Sequence, residues 1–204
     1  MSEIGTADRP AGLRERKKAK TRAAIREHAL RLFREQGYAG TTVEQIADAA
    51  EVSPATFYRY FPTKEDVVLQ DDLDVLTFGE FLGQPAELSP LAAVRAAMAA
   101  ALPKFTEEER QRFRETTALT LAVPEIRARA IDEFARTIDV FTALLAQRAG
   151  REPDDPAVRT MAGAVFGVIM ATTLPALERG VLGVDEIFTL VDAGLAQLEA
   201  GLPL

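Results

Sequence analysis

Residues 42–66 read TVEQIADAAEVSPATFYRYFPTKED, and this stretch decides the fold. Thr42 opens a helix as a capping box. Its hydroxyl suits the backbone N–H three residues on, and the Gln45 side chain can reach back. Val43, Ile46, Ala47 and Ala50 form the apolar stripe of a brief helix, from Val43 to about Ala50. Ala50-Glu51-Val52 reads as a turn. Ser53-Pro54 then starts another short helix, with a hydroxyl N-cap and a proline at the first helical position, where its missing N–H costs nothing. Phe57 and Phe61 serve as inward anchors of that helix. Two short capped helices joined by a tight turn are a helix-turn-helix, in which the second helix enters a DNA major groove with its N-terminal residues facing base edges.

The residue types suit that role. Pro54, Ala55 and Thr56 are small enough for close backbone approach, and Thr56 can donate, accept or offer a methyl group. The hydroxyls of Tyr58 and Tyr60 can reach phosphate. Lys64 brings a point charge to the start of the next helix, where backbone N–H groups suit an anion.

Outward from this motif, nearly every long segment repeats at helical period, and no sustained period-2 alternation is found. The first helix spans 14–36, with Ile25, Ala29, Leu32 and Phe33 on one face and Gly37 as its stop. His28 sits at the edge of that face and reads as a packing residue. A fourth helix is expected from Thr63 to about Leu82. Further starts fall at Ser89-Pro90, Thr106 with Glu109, Pro124, Asp155-Pro156 and near Asp185. Stops fall at Gly83, Pro103, 121–123, Gly150 and Gly180. The expectation is an all-α chain of about nine helices.

Composition narrows the function classes. The 204 residues contain no Cys and one His, which excludes a disulfide framework or thiolate metal site and leaves little for an imidazole-based one. No metal site and no cofactor is expected. A helical enzyme is disfavoured as well, since no zinc-binding spacing and no phosphate-cradling glycine motif is present. The N-terminal stretch has no apolar core before a cleavage site, so no secretory signal is read and a cytoplasmic location is expected. The net charge of −7 is uneven: residues 1–65 hold 12 Lys+Arg against 9 Asp+Glu, and residues 66–204 hold 12 against 22. Six basic residues crowd into positions 14–22. A basic head on an acidic body suggests that the head alone meets a polyanion.

The segment from Thr42 to Glu65, with its turn, caps, interleaved aromatics and closing Lys64-Glu65 in order, resembles the DNA-binding segment of the tetracycline-repressor (TetR) family; the resemblance covers roughly residues 20–66. Ala55 stands where the family commonly has Gly. The resemblance implies a homodimeric, ligand-responsive transcription factor, usually a repressor, with residues 1–66 as basic arm and DNA-binding head and 67–204 as a helical ligand-binding and dimerisation domain. Carried over by position, Thr42 contacts phosphate; Ser53, Pro54, Ala55, Thr56 and Tyr58 lie at or near the groove; Tyr60 and Lys64 clamp the backbone. Arg59 occupies a variable position as a candidate base reader. Arg14, Lys17 and Lys18 add phosphate or minor-groove contacts.

The body is less explicit. Thr160–Leu177 is 18 residues without a charge, formally long enough for a membrane helix. Pro175, three threonines and the lack of flanking basic or aromatic belts argue against one, and no membrane partner is expected. The Gly163–Gly167 spacing lets helices approach closely. In a TetR-like fold this helix and the last one, with Val184, Phe188, Val191 and Leu195, would form a dimer interface, as a palindromic site requires. Phe78, Met98, Phe105, Phe113, Phe134, Phe141, Phe166 and Met170 are candidates to line an apolar pocket. A hydrophobic or aromatic effector is preferred, with Arg112, Arg127 or Glu115 available at a rim for an acid or amine. The competing readings are a ligand-independent DNA-binding or architectural protein with the same head, and an activator.

Overall fold

The computed structural model describes residues 12–70, 73–181 and 183–203. Among them are ten α-helices and one short 3-10 helix, and no strand. The chain divides into two compact units, Met1–Val68 and Leu69–Leu204.

In the first unit, α1 (Leu13–Gln36) packs on α2 (Val43–Ala49), and α2 on α3 (Pro54–Tyr60). Of the stripes expected from periodicity, Ile25, Ala29, Phe33, Ile46 and Ala47 are buried, together with Phe57 and Phe61, while Leu32, Val43 and Ala50 are only partly so. The α1 stop is enforced at Gly37, whose φ of 78° and ψ of 158° suit a residue without Cβ. Ala50 caps α2 rather than extending it. His28 is half-buried on α1, its Nδ1 3.5 Å from the Arg31 guanidinium.

The expected long fourth helix is interrupted. It consists of α4 (Asp66–Leu69) and α5 (Leu73–Gly83), with Gln70 outside any helix.

The second unit continues with α6 (Pro90–Ala101), a 3-10 turn (Leu102–Lys104), α7 (Glu107–Ala122), α8 (Pro124–Ala149), α9 (Pro156–Glu178) and α10 (Val184–Glu199). Hydroxyl and carboxylate caps start three of these: Ser89 accepts from Ala92, Thr106 forms a capping box with Glu109, and Asp155 accepts from Ala157. The backbone N–H of Thr106 and of Ala157 holds the Glu109 and Asp155 carboxyls, respectively, below their usual ranges. α5 packs on α6 and α8, α8 on α7 and α9, and α10 on α6 and α9. Arg95 of α6 spans to α10 with 2.7 Å to Asp192 and 3.0 Å to Glu199, and these hydrogen bonds raise its pKa further.

α10 carries its apolar stripe inward. Val184, Phe188, Val191 and Leu195, expected at a dimer interface, are buried within their own chain, Val184 and Leu195 completely. The amphipathic stripe read from the sequence is real, but α6 and α9 already cover it. Gly194, on the α9 side of α10, is the tight spot: a Cβ there would sit 2.6 Å from Val168 Cγ1 and 2.9 Å from Thr172 Cγ2. Gly163 and Gly167 face away from these contacts, with nothing within 4 Å of an added Cβ. α9 is long and apolar enough to cross a membrane by length and composition alone. It runs through Pro175, and it packs on both α8 and α10.

Candidate nucleic-acid interface and ligand cavity

In the first unit, side chains fix the backbone before they present anything outward. Thr41, almost fully buried, donates its hydroxyl to Gly37 O at 2.9 Å, closing the loop after α1. The capping box of α2 is present in both directions: Gln45 N–H donates to Thr42 Oγ1 at 3.2 Å, and Thr42 N–H to Gln45 Oε1 at 2.9 Å. The turn closes with Val52 N–H donating to Ala47 O at 2.9 Å, and Glu51 within it adopts the left-handed φ of 53°. Thr56 N–H donates to Ser53 Oγ at 3.1 Å, and the two hydroxyls lie 3.0 Å apart. A candidate base-reading hydroxyl is thus oriented by the residue that caps its helix.

Phe57 and Phe61 are completely buried, so α3 is pinned from one side and shows the other. Ser53, Pro54, Ala55 and Arg59 are exposed, Thr56 and Tyr60 partly so, and Tyr58 is 50% exposed. The Arg59 guanidinium lies over the Tyr60 ring, 5.4 Å from its centroid. Thr42 is exposed at the start of α2; Arg14, Lys17 and Lys18 are exposed along the first turns of α1.

Lys64 departs from the expectation of an ammonium aimed at the next helix start. Its Nζ donates to Tyr38 O at 2.8 Å and Thr41 O at 2.9 Å, and lies 3.9 Å from the Tyr38 ring centroid. The reason is local. The loop ending α1 offers two carbonyls that no helix uses, whereas the α4 start is occupied by Asp66, whose carboxylate accepts from Thr63 N–H at 3.0 Å. The Tyr38 hydroxyl donates to Glu65. Burial pushes the Glu65 carboxyl up, but hydrogen bonds from Tyr38, its own backbone N–H and Thr63, with the Lys64 charge, hold it below its ordinary value. No cluster fit to hold a metal ion occurs among the described residues.

The second unit holds a cavity of about 300 Å³, partly open to solvent, lined from α5, α6, α8, α9 and α10. Of the eight pocket candidates, Phe78, Met98, Phe134, Phe141 and Phe166 line it. Phe105, Phe113 and Met170 do not: Phe105 packs edge-on against Phe188 at 6.2 Å, and Phe113 packs against the core outside. Phe188 and Val191, expected at an interface, are part of the wall, and so is Phe81. Sequence reading also missed the polar lining: Thr77, Glu133, Thr137 and Thr173. One signal was available. Ile126, Ala130, Phe134, Thr137 and Phe141 form a helical stripe on α8, and Glu133 lies on it.

A helix-turn-helix with an exposed second helix, beside a separate helical unit, is the architecture of a DNA-binding transcriptional regulator, and comparison with known proteins agrees. Residues 25–70 match the family described as bacterial regulatory proteins, tetR family, and residues 88–203 match the MftR C-terminal domain. The chain belongs to the TetR family of DNA-binding transcriptional regulators. It is 43% identical over 100 residues to the HTH-type transcriptional regulator TcmR of Streptomyces glaucescens, covering 48% of this chain and 44% of that protein. It is 27% identical to the putative mycofactocin biosynthesis transcriptional regulator MftR of Mycobacterium tuberculosis, over 90% of this chain and 95% of that one. Among solved structures, FadR of Thermus thermophilus, a TetR-family repressor in complex with lauroyl-CoA, superposes with a TM-score of 0.54 at 25% identity, covering 90% of this chain and 95% of that one.

Proposed function

We propose that this protein is a cytoplasmic, homodimeric repressor that leaves a palindromic operator when a small apolar or aromatic effector enters the cavity. The observation that carries the reading is the division of labour on α3: Phe57 and Phe61 are spent on the core, while Ser53 to Thr56, Tyr58 and Arg59 are presented outward. The unit through Val68 acts as the DNA-binding head and the rest as the effector and dimerisation body. Thr56 reads a base edge; Thr42, Tyr58, Tyr60 and the basic residues of α1 hold phosphates. Lys64 supports this surface by tying the α1–α2 loop to the α3–α4 loop, and its charge adds to the phosphate field.

Two identical chains present two recognition helices to the two half-sites. The dimer face falls on the open side of α9, where Thr160, Gly163, Gly167, Ala171 and Leu174 form an exposed, uncharged stripe. Effector binding shifts the dimer toward a spacing that no longer fits the operator, which requires unequal affinity for the two conformations. That a solved TetR-family relative carries lauroyl-CoA supports an effector role for the cavity. A ligand-independent architectural protein would have no use for such a cavity.

The test is fluorescence anisotropy on DNA upstream of the protein's own gene, beside a scrambled duplex, at two salt concentrations. Tight binding to the upstream DNA alone supports the reading; equal, steeply salt-dependent binding to both refutes it. In the same assay Thr56→Ala shifts the preference at one base pair by about 1–3 kcal/mol. An equal loss on both duplexes refutes the base-reading role.

A further inference from the structure

The chemistry of the cavity wall points to a ligand class narrower than "apolar". Six phenylalanines line it, and five of them form one continuous cluster: Phe78 and Phe81 lie 5.9 and 5.5 Å from Phe141, which lies 5.7 Å from Phe166, itself 5.1 Å from Phe134. Among the described lining residues there is no Lys, Arg or His, and the single ionisable side chain is Glu133. Two of the three threonines in the wall direct their hydroxyl protons into their own helices, Thr137 to Glu133 O at 3.1 Å and Thr173 to Ile169 O at 2.7 Å. The wall therefore combines aromatic faces, which attract cations, with a carboxylate that accepts only, and it offers an incoming anion little to bind.

Glu133 is available for exchange. Its Oε2 pairs with Arg136 Nη1 at 2.7 Å, but Arg136 is about half exposed and is not part of the wall. Surface pairs of this kind contribute little, because water solvates the arginine once it is released. A ligand cation arriving from the cavity side replaces a partner that loses little by leaving.

We infer that the effector is a lipophilic organic cation, an amine or ammonium on an aromatic or aliphatic body, held by Glu133 and the phenylalanine cluster. This rests on the cavity being the effector site. It also sets this chain apart from the relative that carries lauroyl-CoA, an anionic ligand.

The test uses three probes with one apolar body and three head groups: 4-phenylbutylamine, 4-phenylbutanol and 4-phenylbutanoate. Each is titrated calorimetrically into the full-length protein at neutral pH. The amine is expected to bind about tenfold or more tighter than the alcohol, and the acid weakest. Glu133→Gln brings the amine-to-alcohol ratio toward one, and Phe134→Leu lowers the same ratio by removing a ring face. Thermal melts verify that both variants are folded, and the wild-type ratio stands as a test without them. Equal binding of all three probes, or tightest binding by the acid, overturns the cation inference while leaving the cavity as a ligand site. Binding by none of them overturns both.

Discussion

Gly194→Ala adds one methyl group to α10 at the place where α10 meets α9 inside a single chain. The new Cβ would lie 2.6 Å from Val168 Cγ1 and 2.9 Å from Thr172 Cγ2, well inside van der Waals contact. Neither neighbour yields readily. Both are β-branched side chains with restricted χ1 in a helix, and the Thr172 hydroxyl already donates to Val168 O at 2.9 Å. Relief must come from off-rotamer side chains or a wider α9–α10 separation, costing about 1–3 kcal/mol. Alanine returns up to about 1 kcal/mol through helix propensity. The net expectation is a loss of about 1–2 kcal/mol, since overpacking exceeds propensity. For a chain of this size the melting temperature falls by ~2–8 °C. The assay is a thermal melt by circular dichroism at one fixed protein concentration, because melting of the proposed dimer would depend on concentration. An unchanged or raised melting temperature would refute the tight α9–α10 contact.

Gly167→Leu faces open space within the chain, so it should melt no lower than wild type when dilute yet sediment as a monomer; a wild-type dimer in sedimentation velocity sinks the α9 interface. Glu51→Gly relieves a left-handed φ of 53° and should stabilise the head by ~0.5–1 kcal/mol in urea unfolding, and no gain would mean the strain is absent. Because the Glu65 carboxyl is held below its ordinary value when folded, its contribution is fully present above about pH 4.3 and is lost as pH falls through the lowered folded value. Tyr38→Phe removes the principal bond that lowers it, so melts between pH 3 and 6 should show a flatter acid slope than wild type; identical slopes count against the Tyr38–Glu65 link.

Where one residue type answers one local demand, the sequence was readable. Thr42 with Gln45, Ser53 before Pro54, and Thr106 with Glu109 each satisfy orphan N–H groups within four positions, and each cap stands where it was expected. Reading failed where the partner is distant in sequence. Nothing local in residues 63–66 says that Lys64 folds back onto carbonyls 23 and 26 positions earlier. On α10 a stripe of Val184, Phe188, Val191 and Leu195 announces burial, but periodicity cannot say whether the covering surface belongs to the same chain or to a second copy. Glu133 was overlooked because an α8 stripe holding one acid still reads as an ordinary apolar face. Its meaning arises only when α5, α6, α9 and α10 close the cavity around it.

In the head, the groups that hold the backbone and the groups shown to solvent overlap at the caps Thr42 and Ser53 and separate along the rest of α3. Lys64, Tyr38, Glu65 and Thr41 tie the loops through bonds spanning at most 27 positions, and the Ser53 cap receives the backbone of Thr56. Ala55, Tyr58 and Arg59 carry none of these ties. Single substitutions at Ala55, Tyr58 and Arg59 therefore leave the frame standing, so descendants of this chain can vary this exposed surface one step at a time without passing through an unfolded intermediate sequence.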